Sequence, residues 1–175
     1  TLCTLMTSRL RENNIKSMKP LRVGLWQQAA TRNEEVVNYL TTQEDVKAFF
    51  AAAYQNLLPG GALCFDCSTR HKLEETMGDS FFGEERDGAA VLWQNRLNRE
   101  THVLSMDVTF FVREEDGRYR RFREQHRQRA HSQQELTLWL TDAGFEDIHV
   151  YGEMRMDAPK EDDLRIHFTA RKPQT

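Results

Sequence analysis

Thr41-Thr42-Gln43-Glu44-Asp45-Val46, running on to Leu57-Leu58-Pro59-Gly60-Gly61-Ala62-Leu63-Cys64-Phe65-Asp66, decides the fold. Its front end is a helix start: Thr41 can cap the first turn while Glu44, three residues on, reaches back. Val46, Phe49, Phe50, Tyr54, Leu57 and Leu58 then recur at i, i+3, i+4 spacing, one apolar stripe along a helix. Pro59 cannot continue that helix, and Gly60-Gly61 accept a left-handed turn. Ala62-Leu63-Cys64-Phe65 follows as an unbroken apolar run, the pattern of a strand buried on both faces. Upstream, Glu35-Val36-Val37-Asn38-Tyr39-Leu40 has the same character and is expected to be a buried strand and the loop after it. Strand, helix, Gly-Gly turn, strand is one βαβ step of a parallel sheet.

Downstream the period changes from helical to alternating. Residues 90–97, 101–112 and 119–131 form three extended segments, with turns at Asn98-Arg99-Glu100 and Glu115-Asp116-Gly117. In the second, Leu104, Met106, Val108, Phe110 and Val112 alternate with Ser105, Asp107 and Thr109, as in an antiparallel strand with one wet face. Ser132-Gln133-Gln134-Glu135 is a second capping box. Leu136, Trp139, Leu140 and Ala143 line one helix face, and Gly144 ends it. Ile148 and Val150 open another strand, and Leu164, Ile166, Phe168 and Ala170 give a last alternating one. At the other end, Leu2, Leu5, Met6 and Leu10 have rough helical spacing, and Leu21 to Trp26 is a candidate short strand.

Composition narrows the function classes. The chain has 175 residues, one ordinary domain, with 39% hydrophobic and 29% charged residues. Lys+Arg 24 against Asp+Glu 27 gives a net charge of −3, which argues against a protein held to nucleic acid by bulk charge. Three cysteines, an odd number, make no disulfide framework, so a cytoplasmic setting is expected. No apolar run is long enough to span a membrane, so no membrane partner is expected.

Asn38 to Val46, then Leu58 to Asp66, is similar to class I S-adenosylmethionine-dependent methyltransferases, in which this step carries the fourth and fifth strands of the sheet. Met106-Asp107-Val108-Thr109-Phe110-Phe111-Val112, Glu124-Gln125-His126-Arg127-Gln128-Arg129 and Ala143-Gly144-Phe145 resemble the subgroup with a three-stranded antiparallel insertion after strand five. The likeness covers Glu35 to Pro173. It implies an α/β fold: the C-terminal part of a Rossmann-like methyltransferase sheet with an antiparallel β insertion at about residues 89–131. Residues 33–175 would form that domain, after a degenerate or atypical segment over 1–32. The family's glycine-rich loop is absent, since Gly24 is the only glycine before Gly60. If residues 21–25 were the family's second strand, Trp26 would stand where its ribose-holding acid belongs.

The resemblance implies S-adenosylmethionine as cofactor and leaves a small molecule, RNA or protein open as acceptor. Ligands of open α/β sheets lie beyond the carboxyl ends of the strands, which puts Asn38, Tyr39 and Asp66 at the crevice. On that reading Asn38 and Tyr39 flank the methyl donor and Asp66 orients the acceptor. The alternative is a turn for Asn38, packing for Tyr39, and a cap by Asp66 on a helix near Thr69. His126 is a general-base candidate, its near-neutral pKa suiting that work, or else a half-exposed histidine on a sheet face. Trp93 and Arg129, in the insertion, are the substrate-binding candidates. Arg118, Arg120, Arg121, Arg123, Arg127 and Arg129 form a basic strand, which either meets an anion such as RNA phosphate or keeps a sheet edge charged. Cys64 and Cys67 stand three apart in a strand and face opposite sides, so no metal is expected there. A sheet lacking its first strands exposes an edge, so a homodimer covering it, or N-terminal residues folded over it, is expected. A non-catalytic remnant acting as a binding subunit is the competing functional reading.

Overall fold

The computed structural model describes residues 29–32, as backbone, and residues 36–174. The expected helix near residues 2–10 and strand at 21–26 lie outside the described residues.

A mixed main sheet runs in the order β1 (Ala29–Arg32), β2 (Ala62–Ser68), β8 (Arg165–Arg171), β7 (Glu146–Tyr151). β1 is parallel to β2, with Ala29 opposite Ala62 and Arg32 opposite Phe65. β8 runs antiparallel to both β2 and β7. The parallel pair bridged by a helix is therefore present, but its first strand lies before Asn33 and not at Glu35–Leu40. Those residues instead form α1 (Val36–Tyr39), a single helical turn. The β-branched pair Val36-Val37 favours a strand locally. Tertiary bonds made by Asn38, described below, override that preference. The sheet thus reaches into the segment set apart as 1–32.

Helix α2 (Gln43–Asn56) is capped by Thr42, whose hydroxyl accepts from the Asp45 amide at 3.1 Å. The cap falls one residue later than Thr41, because Asp45 gives Thr42 its own partner three residues on. The Pro59-Gly60-Gly61 stop is tied to the end of β8: the Gly60 amide donates to the Lys172 and Pro173 carbonyls at 3.0 Å, with Gly60 at φ +76°. Helix α3 (Gln133–Asp142) has the full capping box. Ser132 Oγ accepts from the Glu135 amide at 3.1 Å, and Glu135 Oε2 accepts from the Ser132 amide at 2.8 Å. Gly144, at φ +98°, ends α3, and the Phe145 amide closes the turn on the Leu140 carbonyl.

Val46 and Phe50 from α2, with Leu136, Trp139 and Leu140 from α3, cover one face of the main sheet at Leu63, Phe65 and Phe168. Phe65 and Phe168 are register partners on β2 and β8 and stack at 4.9 Å. Burying one such side chain stabilises by roughly 2 kcal/mol, which is why this apolar face holds the layer together.

The second sheet is an antiparallel meander: β3 (Phe81–Arg86), β4 (Ala89–Asn98), β5 (Val103–Arg113), β6 (Tyr119–Arg129). It has four strands where the sequence suggested three. All six residues of β3 are exposed, so no buried face imprinted an alternation on Phe-Phe-Gly-Glu-Glu-Arg. Asp87 and Gly88, both at positive φ, make the two-residue turn into β4. Between β2 and β3 the chain takes a π-helical turn, His71–Thr76, which presses Leu73 into a second small core with Leu104, Met106 and Ala130.

Candidate functional site

Strand pleat sorts the residues of the second sheet. Cross-strand partners share a face, so Trp93, Val108 and Glu124 form one row and Asn95, Met106 and His126 the next. This inner face packs on Leu73 and Met77 of the π-helical turn. The outer face carries Gln94, Asp107 and Gln125, flanked by Arg96, Arg123 and Arg127.

Helix α1 joins the two sheets through Asn38. This fully buried side chain accepts from the Ser68 amide (2.8 Å) and donates to the carbonyls of Ser68 (3.1 Å) and Arg129 (3.0 Å). Ser68 ends β2 and Arg129 ends β6, so one carboxamide staples the ends of two strands from different sheets. Both its hydrogens and one acceptor site are spent there. Asn38 is thus fully engaged with backbone groups.

Tyr39, next in the chain, stands edge-on to the His126 ring, 6.1 Å between centroids. His126 Nε2 lies 3.5 Å from Glu124 Oε2, and both side chains are largely shielded, 16% and 27% exposed. Tyr39 and His126, far apart in sequence, therefore meet at the carboxyl ends of β1 and β2. Glu124 completes the group, though by residue type it merges with the charged residues around it on β6. The signal was present in the alternation of Phe122, Glu124, His126 and Gln128 along β6.

The other candidates sit around this centre. Asp66, 3% exposed, is on the sheet face opposite the α2–α3 core and is ion-paired with Arg165 of β8. The capping role near Thr69 belongs to Thr69 itself, whose hydroxyl accepts from the Lys72 amide at 3.1 Å. Trp93 lies on the inner face, stacked on Phe82 at 5.1 Å, and its indole donates to Asn95 Oδ1 at 2.7 Å. Asn95, buried and unnoticed in the sequence, donates onward to the Met77 carbonyl (3.2 Å) and Ser80 Oγ (3.1 Å).

Arg129 donates to Glu135 Oε1 at 2.9 Å and lies over Trp139. Partial burial pushes the Glu135 carboxyl up, but the Ser132 amide and hydroxyl, then Arg129 and Arg70, outweigh it and hold it below the usual range. His131, 2% exposed, gives Nε2 to the Leu40 carbonyl at 2.9 Å, leaving Nδ1 as a buried acceptor with no partner. Burial holds its imidazole below the ordinary range, with Arg129 adding to the effect.

The basic strand is split by the pleat. Asp107 takes up part of its charge, bonded by Gln125 at 2.7 Å and paired with Arg123 (2.9 Å) and Arg96 (3.3 Å). The Gln125 hydrogen bond, then these two guanidiniums, lower the Asp107 carboxyl. Among the described residues no group of three His, Cys, Asp or Glu side chains is placed to hold a metal ion. Cys64, half-buried on β2, is a free thiol. No helix of the described residues is long and apolar enough to cross a membrane.

Chemically, the crevice offers an aromatic face, an imidazole and a carboxylate beside strand ends that the Asn38 staple fixes. That set suits the positively charged end of a sulfonium methyl donor and a nucleophile approaching it. No described residue is assigned to a donor's ribose or amino-acid part, and the sequence has no glycine-rich loop to cradle them.

No family model matches the chain. Two curated proteins do: the "Putative methyltransferase" of Geobacillus sp. (strain WCH70), 31% identical over 136 residues, and the "Putative methyltransferase YqeM" of Bacillus subtilis (strain 168), 30% identical over 139 residues. The matches cover 78% and 79% of this chain and 55% and 56% of those proteins. The chain thus spans about half the length of the curated relatives it matches. A solved S-adenosylmethionine-dependent methyltransferase from Clostridium acetobutylicum superposes with a TM-score of 0.77 over 97% of this chain and 72% of its own, at 21% identity. In sequence the chain is similar to proteins named "Putative methyltransferase", and it shares its fold with a solved S-adenosylmethionine-dependent methyltransferase.

Proposed function

We propose that the chain takes part in methyl transfer from S-adenosylmethionine to a nucleophile held on the inner face of the second sheet. The observation that carries this reading is the Tyr39–His126 contact, which sets a ring of α1 edge-on to an imidazole of β6 beside the Asn38 staple. When bound, S-adenosylmethionine supplies a methyl group on a cationic sulfur, already activated for attack. The residues have simpler work. Tyr39 walls the donor side, Asn38 holds that wall in place, and His126 accepts the proton a nucleophile must lose. Trp93 and Phe82 form an apolar side wall, while Asp66 and Arg129 act through their ion pairs on the strand ends.

Calorimetric or thermal-shift titration with S-adenosylhomocysteine tests this. Saturable binding with a rising Tm is expected, because a ligand that prefers the folded state must stabilise it. No response at millimolar ligand would overturn it. The missing glycine-rich loop would then favour the second reading, a binding subunit without its own donor site. A cytosolic setting and a dimer through an exposed sheet edge belong to the same proposal, and light scattering tests the assembly.

A further inference from the structure

We infer that the acceptor taken by this site is a small amine on an apolar or ring-shaped body, anchored as its ammonium by Glu124. The inference rests on the methyl-transfer reading above and adds the substrate class.

It starts from the way the pleat separates charge. From the Val91–Phe110–Phe122 row to the Leu97–Leu104–Gln128 row, the inner face carries no lysine or arginine. The outer face of the same stretch carries Arg96, Arg123 and Arg127. The inner surface is aromatic: Phe110 stacks on Phe122 at 4.9 Å and Phe82 on Trp93 at 5.1 Å. Glu124 sits in the row of Phe82 and Trp93, between Phe122 and His126 on its own strand.

A carboxylate set in such a wall selects among ligands by charge. An anionic head, RNA phosphate included, would meet like charge in a medium that screens poorly. A neutral hydroxyl would cover the carboxylate without supplying a counter-charge. An ammonium supplies one, donates hydrogen bonds to the oxygens, and is attracted to the aromatic faces around it. Before the nitrogen can attack, one N–H bond must break with its electron pair left on nitrogen. The proton then passes to an imidazole nitrogen of His126, two residues along the same face and 3.5 Å from Glu124.

The test uses three probes of similar body and different head: phenethylamine, 2-phenylethanol and 3-phenylpropionate. Each is titrated by calorimetry into the whole chain, with and without S-adenosylhomocysteine. The amine is expected to bind about tenfold or more tightly than either other probe, the worth of one well-formed charge pair. E124Q should bring the amine down to the level of the alcohol, while R127Q, on the outer face, leaves all three unchanged. Equal or tighter binding of the propionate or alcohol, no binding of any probe, or an E124Q variant that keeps the amine's affinity would each overturn the inference. The wild-type ranking stands by itself if E124Q does not fold. Homocysteine-adduct binding without amine preference sinks this inference alone; amine preference without that binding sinks the methyl-transfer reading and leaves Glu124 as an amine site.

Discussion

The main sheet and the second sheet spend their polar side chains in opposite ways. At the edge of the main sheet Asn38 of α1 is consumed by three backbone hydrogen bonds, and within the sheet Asp66 pairs with Arg165. On the inner face of the second sheet, Glu124 and His126 lie side by side with a part of each open to solvent. The first set fixes where the strand ends are; the second is left to meet a ligand. A buried polar group at a crevice is therefore weak evidence for ligand contact until its bonds have been counted.

The largest expected effect breaks the join between the two regions. Asn38→Ala removes the acceptor of the Ser68 amide and one donor each from the Ser68 and Arg129 carbonyls, Arg129 keeping the His131 amide at 3.2 Å, a loss of about 2 kcal/mol. Denaturant unfolding measures it, and hydrogen exchange should quicken at the ends of β2 and β6 together. A loss confined to one sheet would show that the staple is not what couples them. Ser132→Ala is smaller, about 1 kcal/mol, since it removes one half of the capping box. Its exchange signature should fall on α3 and spare β3 to β5.

The smallest is a change of slope with pH. The His131 imidazole is lowered in the folded chain by burial, so the unfolded chain takes up its proton first as pH falls below about 6.5. The stability His131 contributes is present above that pH and is lost on acidification. His131→Gln should flatten the dependence of Tm on pH between about 7 and 5. An unchanged slope would mean that the buried Nδ1 finds a proton without cost.

Much of the main sheet could be read from the chain because burial imprints periodicity. Val46 to Leu57, Leu63 to Phe65 and Ile166 to Ala170 each carry the pattern of the core they join, whereas Leu58, expected in the same stripe, is exposed past the helix end. β1 could not be read, since Ala29-Ala30-Thr31-Arg32 has no apolar signature. Val36-Val37 misled in the other direction, because one buried asparagine outweighs the strand preference of two valines. β3 is wholly exposed and was silent for the same physical reason that the core strands were loud. At the site, His126 and Tyr39 were visible as residue types, but their meeting depends on a staple between positions 30 and 91 residues apart, which no local pattern records. That Glu124 shares a face with His126, away from the arginines, follows from the strand's alternation alone; that this face meets Tyr39 does not.

The two-residue repeat of β6 has a practical consequence for redesign. Even-numbered positions from Phe122 to Gln128 and odd-numbered positions from Arg123 to Arg127 form independent alphabets on one strand. A library confined to the first can vary the inner face while the outer coat, and so the solubility, stays constant. A library confined to the second can recoat the molecule without changing its selectivity.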